Sequence, residues 1–272
     1  MQLFLESLKA FFETVSGWVW GPVMLVLLVG PGVLLTVMLK GLQFSMLGYA
    51  LKQAFMPQKT TDDGEDHEGD ISHFAALMTA LSATIGTGNI AGVATAVVTG
   101  GPGAVFWMWM TAIFGMATKY AEGVLAVKYR VTNSKGEMSG GPMYYIEKGL
   151  GKSWKWMALA FALFGTFASF GIGSSVQSNS VAQAVQTSFG VEPGYTGVVL
   201  TILTAIVVLG GIKGIAKAAS FIVPAMAVFY VLGGIAIIAV NADLLAPAVK
   251  LIFSDAFSAQ AVAGGAIGTM IR

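Results

Sequence analysis

Cysteine is absent from the 272 residues, and histidine occurs only at His67 and His73. The chain therefore offers no thiol nucleophile, no thiolate zinc site and no intrachain disulfide, and a histidine metal centre is not expected. Charged residues make up only 11%, against about 25% in an average soluble domain. That is too few to cover a water-soluble globule of this size. The formal net charge of +1 indicates neither a nucleic acid nor an acidic partner.

Long uncharged stretches are abundant, in a chain that is 56% hydrophobic with a mean hydropathy of +0.75. A helix needs about 20 apolar residues to cross a bilayer. We therefore predict an all-α polytopic membrane protein with spans at 17–40, 71–98, 103–128, 156–189, 194–213 and 219–241. A seventh begins near Ser258, and the printed chain ends within it at Arg272.

Lysine and arginine predict the orientation. With the N-terminus outside, the inner segments hold eleven of these residues and the outer segments two, as the positive-inside rule requires. The first 14 residues are interpreted as a short amphipathic surface helix rather than a signal peptide, because they contain Glu6 and Glu13 and no small-residue cleavage site. The acidic run at 60–70 is interpreted as a solvated cytoplasmic loop, with a cation-binding or regulatory role as the alternative.

The second span contains a poor helix, Thr84-Ile85-Gly86-Thr87-Gly88-Asn89-Ile90-Ala91-Gly92. Glycine costs about 1 kcal/mol against alanine in a helix. Unwound backbone survives at this depth only inside protein or beside a cavity. A break would leave free N–H groups suited to a carboxylate and free carbonyls suited to Na⁺. The alternative is that these glycines only allow helices to pack closely.

The fourth predicted span carries small and polar residues on one helical face: Ser169, Gly173, Gln177, Ser180 and Ala184. Gln177 lies near its middle, where a buried amide needs partners for both its oxygen and its nitrogen. It either joins helices together or lines a solute cavity.

Four strings resemble the alanine or glycine:cation symporter family, the sodium:alanine symporters. They are LSATIGTGNIAGVATA (Leu81–Ala96), GGPGAVFWMW (Gly100–Trp109), GGPMYYIEKGLG (Gly140–Gly151) and GIGSSVQSNSVAQA (Gly171–Ala184). They occur in the family's order, and the similarity runs through essentially the whole chain.

The resemblance implies a LeuT-type inverted-repeat fold with one extra N-terminal helix. Its parts would be a surface helix and extra span (1–40), a cytoplasmic acidic loop (41–70), a first five-helix repeat (71–241), and a loop with the start of a second repeat (242–272). It implies sodium-coupled symport of alanine or glycine across the plasma membrane, with H⁺ as an alternative coupling ion. Substrate would meet Gly86, Thr87, Gly88, Asn89 and Gln177, and sodium would meet Ser82, Thr84, Ile85 and Asn89.

Family members are longer, so we expect this stretch to be an N-terminal portion that does not transport alone. A channel, or a non-transporting amino-acid sensor or scaffold on the same fold, is the alternative. An enzyme is not expected, since no nucleophile–base pair or metal cluster is visible. The sequence leaves the oligomeric state open.

Overall fold

The computed structural model describes residues 2–19, 21–55, 71–134, 136–171, 173–258 and 261. The helices are α1 (Gln2–Val19), α2 (Pro22–Met38), α3 (Leu42–Ser45), α4 (Leu47–Phe55), α5 (His73–Thr84), α6 (Ala91–Gly100), α7 (Gly103–Lys128), α8 (Pro142–Leu150), α9 (Lys155–Ser169), α10 (Ser174–Phe189), α11 (Pro193–Leu209), α12 (Gly211–Val240) and α13 (Ala242–Asp255). Short 3₁₀ turns lie at Thr87–Asn89 and Lys152–Trp154, and strands β1 (Val131–Thr132) and β2 (Met138–Ser139) pair antiparallel.

Helices long and apolar enough to cross a membrane are the main feature of this fold. Among the described residues there are three such helical stretches, or four if the bent pair α5–α6 counts as one span. They are Glu6–Met38, which contains most of α1 and all of α2, Lys152–Phe189, which contains α9 and α10, and Gly211–Val240, which is α12. The predicted all-α membrane protein is confirmed at this level. The predicted third span coincides with α7, which has 26 residues, and the fifth overlaps α11, which has 17 and ends at Leu209. As membrane spans, these two stay predictions.

The boundary between the N-terminal surface helix and the first span was predicted several residues too early in the sequence. The surface helix was expected to end near residue 14, with a span from 17, but α1 continues to Val19 and α2 begins at Pro22. The Gly21-Pro22 pair explains the shift. Proline lacks the N–H that the first turn of a helix leaves unbonded, so it favours a helix start at its own position.

Two predicted loops contain helices. In the 41–70 segment, α3 and α4 occupy residues up to Phe55, and the acidic run lies outside the described residues. In the 242–272 segment, α13 extends to Asp255, and most of the predicted seventh span is likewise outside the described part. Asp243 and Lys250 interrupt the uncharged stretches there, but apolar residues such as Leu244 and Leu251 make the segment an amphipathic helix.

Two further boundaries differ from the sequence prediction. The connection expected at 214–218 is replaced by a turn at Gly210-Gly211, where Gly211 has a φ of 63°, so Lys213 and Lys217 lie in the first turns of α12. The fourth span is divided, because α9 ends at Ser169 and α10 begins at Ser174. The β1–β2 hairpin was not predicted.

The fold comprises two compact units. The first comprises the described residues within Met1–Leu47, Gly92–Ala121 and Ala246–Arg272. In it, Gly32 of α2 lies against the backbone of α7, where an added Cβ would stand 2.7 Å from the carbonyl oxygen of Phe114. At the start of α7, Phe106 packs against Phe253 and Phe257, with ring centroids 5.7 and 5.8 Å away. The indole N–H of Trp107 donates to the carbonyl oxygen of Ala256.

The second unit comprises the described residues within Gly48–Ala91 and Glu122–Leu245. Its core lies between α5 and α12, where Met78, Ala219 and Val223 are 2–6% exposed. Phe74, Leu77 and Leu81, also on α5, pack around them. Helix α11 packs against both α10 and α12, and α8 packs against α9. Helix α5 is thereby held along its length up to the point where it breaks.

The described surface is largely apolar. Large hydrophobic side chains on the spanning helices are exposed, as with Phe164 at 74% and Phe229 at 82%. Among the described residues, the buried side chains are all apolar and mostly alanine. Small buried residues and exposed large ones are typical of helices that pack closely with one another and face lipid.

Candidate functional site: the break between α5 and α6

The backbone leaves helical geometry immediately after Thr84. Ile85 is extended, with φ −86° and ψ 109°, and Gly86 is extended too, with φ −149° and ψ −163°. One 3₁₀ turn follows at Thr87–Asn89, and α6 begins at Ala91. The two helical segments are bent by 66° at this point. The predicted broken helix is therefore present, at the glycine-rich segment that indicated it.

Two hydrogen bonds between Gly86 and Asn89 stabilise the unwound backbone of the break. The Gly86 N–H donates to Asn89 Oδ1 at 3.3 Å, and the Asn89 N–H donates to the Gly86 carbonyl oxygen at 3.0 Å. This reciprocal pair resembles a capping box, in which side chain and backbone satisfy one another's groups at a helix start. The Asn89 side chain thus supports the unwound backbone.

A second helix reaches the break through Gln177. Its Oε1 accepts a hydrogen bond from the Thr87 N–H at 3.1 Å, across 90 residues of sequence. The same amide lies so near Gly86 that an added Cβ there would stand 2.8 Å from Gln177 Nε2. A methyl group at position 86 would therefore displace the Gln177 amide from its place beside the break.

These hydrogen bonds leave carbonyl oxygens without the donors that a continuous helix would supply. In a helix, the N–H groups of Gly86, Thr87 and Asn89 would bond to the carbonyls four residues earlier. They bond instead to Asn89, Gln177 and Gly86. The displaced acceptors are the carbonyls of Ser82, Ala83 and Ile85.

The C-terminal end of α5 is accordingly rich in oxygen ligands. Partial negative charge gathers at a helix C-terminus, and unbonded carbonyls there suit a hard cation such as Na⁺. Thr84 Oγ1 donates to the Ala80 carbonyl at 2.9 Å, which leaves its own lone pairs able to accept. Ser82, Thr84 and Ile85 are therefore placed beside the break, and the freed carbonyl of Ala83 is an addition that the sequence prediction missed.

The substrate-site prediction can be compared with this geometry residue by residue. Gly86, Thr87, Asn89 and Gln177 are brought together by hydrogen bonds and close contact, and Gly88 lies in the same 3₁₀ turn. Of the two roles left open for Gln177, joining helices is visible in its bond to Thr87. A solute role stays a prediction.

The long apolar helices, together with the bent pair α5–α6 and its unwound break, define the class of this molecule, which is a multi-pass α-helical membrane protein. Discontinuous helices of this kind are what transporters use to bind solutes and ions. A family model described as the sodium:alanine symporter family matches residues 5–272. The chain belongs to the sodium:alanine symporter family. The members of that family are described as symporters, which are transporters and not enzymes.

Relatives extend the comparison. The sodium/alanine symporter AgcS of Methanococcus maripaludis is 60% identical over 95% of this chain and 57% of its own length. The putative sodium/proton-dependent alanine carrier protein YrbD of Bacillus subtilis is 42% identical over 96% of this chain and 52% of its own length. The probable sodium/glutamine symporter GlnT of Bacillus subtilis is 39% identical over 100% of this chain and 54% of its own length. The chain thus spans about half the length of the curated relatives it matches.

Proposed function

We propose that the protein carrying this chain is a secondary transporter that couples Na⁺ entry to uptake of a small neutral amino acid, alanine first. The observation that carries the proposal is the bond between Thr87 and Gln177, which brings a second helix to the unwound backbone of a broken span. Family membership and the names of AgcS and YrbD support sodium and alanine.

The substrate carboxylate is assigned to the N–H groups at the start of the 3₁₀ turn. Charge-assisted bonds from backbone N–H to carboxylate are stronger than neutral ones, so a carboxylate at Thr87 replaces the Gln177 oxygen there. The Gln177 amide is then able to turn its nitrogen toward the ligand. Gly86, Gly88 and Asn89 complete this subsite by close backbone approach and side-chain polarity.

Sodium is assigned to the other end of the break. The carbonyls of Ser82 and Ile85, together with Thr84 and Asn89, supply oxygen ligands at the C-terminus of α5. Ion and substrate then bind on opposite sides of one short unwound segment and stabilise the same closed state. Because Na⁺ and the substrate stabilise the same closed state, the Na⁺ gradient drives uptake of the substrate. H⁺ is the alternative coupling ion, in keeping with the name of YrbD.

The proposed architecture is a LeuT-type fold whose first repeat is 71–241, working by alternating access. The orientation places the N-terminus outside a plasma membrane, on the lysine and arginine distribution. Alanine is favoured over glutamine because identity is 60% to AgcS and 39% to GlnT. Glycine is the second substrate to examine, since it presents the same carboxylate and amine with less side chain.

The test uses the complete protein in proteoliposomes. Radiolabelled alanine uptake is measured with an inward Na⁺ gradient, an inward H⁺ gradient and no gradient, with glycine and glutamine as competitors. Asn89→Ala is compared with Asn179→Ala, an exposed asparagine on α10. We expect Na⁺-dependent uptake that is lost in the first variant alone. Gradient-independent flux would indicate a channel, and binding without flux a sensor or scaffold; either result rejects symport.

A further inference from the structure

A corner of the second unit combines exposed lysines with exposed tryptophans. Helix α8 ends at Leu150, the chain turns at Gly151 with a φ of 93°, and α9 begins at Lys155 after a 3₁₀ turn. We call this the tryptophan–lysine corner, and define it by five residues: Lys148, Lys152, Trp154, Lys155 and Trp156. Lys148 belongs to the GGPMYYIEKGLG string, which the transport site does not use, and the other four residues follow directly after that string.

The charge of the corner is positive and accessible. Lys148 and Lys152 are exposed, and Lys155 pairs with Glu147 at 3.3 Å although its side chain is 71% exposed. Three lysines stand against one glutamate between residues 142 and 156. An anion approaching this corner therefore meets a surplus of positive charge in solvent-accessible side chains.

The aromatic part of the corner is a stacked pair. The Trp154 and Trp156 rings have centroids 6.4 Å apart and an interplanar angle of 25°. They are 43% and 65% exposed. Tryptophan prefers the boundary between headgroups and acyl chains, because its ring is apolar and its N–H is polar. The pair lies at the N-terminal end of the apolar stretch Lys152–Phe189, which α9 continues.

The corner thus places cations next to an aromatic platform at the point where a spanning helix starts. Lysines near an anionic bilayer surface each contribute about 1 kcal/mol of attraction. An ordinary soluble anion would use only the lysines. An anionic phospholipid uses both parts, with its phosphate on the lysines and its glycerol and upper acyl chains on the tryptophans.

We propose that the tryptophan–lysine corner binds the headgroup of an anionic phospholipid, with the phosphodiester between Lys148 and Lys152 and the upper chains against Trp154 and Trp156. The assignment is independent of the transported solute. It rests on the proposed function only for the orientation of the protein in the membrane, which places the corner at the inner leaflet.

Tryptophan fluorescence tests the assignment in the full-length protein. The protein is reconstituted in vesicles containing brominated phosphatidylglycerol or brominated phosphatidylcholine, since bromine quenches nearby indoles. The corner signal is the difference between the parent and a Trp154→Phe/Trp156→Phe variant. We expect stronger quenching of that signal by the anionic lipid. In Lys148→Gln/Lys152→Gln, the preference is expected to fall about fivefold for each lysine removed.

Matched variants separate the corner from general surface charge. Lys213→Gln/Lys217→Gln removes two exposed lysines from the predicted same side of the membrane and is expected to leave the preference unchanged. Lys148→Arg/Lys152→Arg keeps the charge and is expected to keep the preference. Millimolar inorganic phosphate is expected to leave the quenching unchanged.

Three outcomes overturn the proposal. They are equal quenching by both lipids, an equal loss in the Lys213/Lys217 variant, and displacement of the lipid by free phosphate. None of these measurements depends on alanine uptake, so failure of the lipid assignment and failure of the transport assignment are distinguishable.

Discussion

The carboxylate of Asp255 accepts a hydrogen bond from the N–H of Gly103 at 3.0 Å, which joins the last residue of α13 to the first residue of α7. Glycine is needed on the α7 side, because a Cβ at Gly103 would stand 2.5 Å from the Asp255 backbone. A carboxylate at a helix N-terminus is favoured by both hydrogen bonding and the helix dipole. The GGPG string therefore forms the surface against which the end of α13 packs.

Replacement of Asp255 tests this contact. We expect Asp255→Ala to lower the stability of the full-length protein by about 1 kcal/mol, because a helix N-terminus loses its acceptor. Asp255→Asn keeps a carbonyl oxygen and should retain most of the stability. Thermal unfolding in detergent measures both. An equal loss in both variants would show that charge, rather than the hydrogen bond, holds the contact.

Close packing of α2 on α7 predicts a contrast between two glycines. Gly32→Ala should destabilise the protein by about 1–3 kcal/mol, since its new methyl group meets the Phe114 backbone, which cannot move aside without shifting a helix. Gly30→Ala adds the same methyl group where nothing lies within 4 Å. Thermal unfolding of the two variants should therefore differ, and similar midpoints would contradict the packing.

The contact between Gly86 and Gln177 predicts a lower affinity for alanine without a loss of fold. Gly86→Ala places a methyl group where the Gln177 amide lies, so the amide must leave Thr87. We expect the apparent affinity for alanine to fall about tenfold, which corresponds to about 1.4 kcal/mol. Gly171→Ala, with nothing within 4 Å of its new methyl group, is the control. Unchanged alanine affinity in Gly86→Ala would remove Gln177 from the site.

The α5–α12 core predicts a cost for truncating Met78, which is 4% exposed against Ala219 and Val223. Met78→Ala should lower the free energy of unfolding by about 2 kcal/mol. This is near the bottom of the range for a buried methionine, because an apolar side chain that leaves the helix interface enters apolar lipid instead of water. Val98→Ala, at a side chain that is 84% exposed, should have little effect. The free energy of unfolding in mixed micelles compares them.

The break was predictable because its cause is local. Gly86, Gly88 and Gly92 weaken the helix in one short segment, and the cost of each glycine is independent of the rest of the fold. The start of α7 at Gly103 was predictable for a similar reason, since the Gly100-Gly101-Pro102-Gly103 string interrupts an otherwise long uncharged stretch.

Other features depend on contacts between distant residues. The bond from Thr87 to Gln177 crosses 90 residues, and the bond from Gly103 to Asp255 crosses 152. Sequence reasoning placed Gln177 on a polar face but could not choose its partner. It read 242–257 as a loop, because Asp243 and Lys250 suggested solvent. The helix there became apparent only with the packing of Phe253 and Phe257 on α7.

The joint between α9 and α10 has a consequence for insertions and deletions. Gln177 is the fourth residue of α10, so its direction around the helix axis is set by where α10 starts. Each residue rotates an α-helix by about 100° and advances it by 1.5 Å. One residue more or fewer between Ser169 and Ser174 would rotate Gln177 away from Thr87 and bring a neighbouring side chain round in its place. The number of residues in that joint thereby sets the angular phase of the polar face of α10.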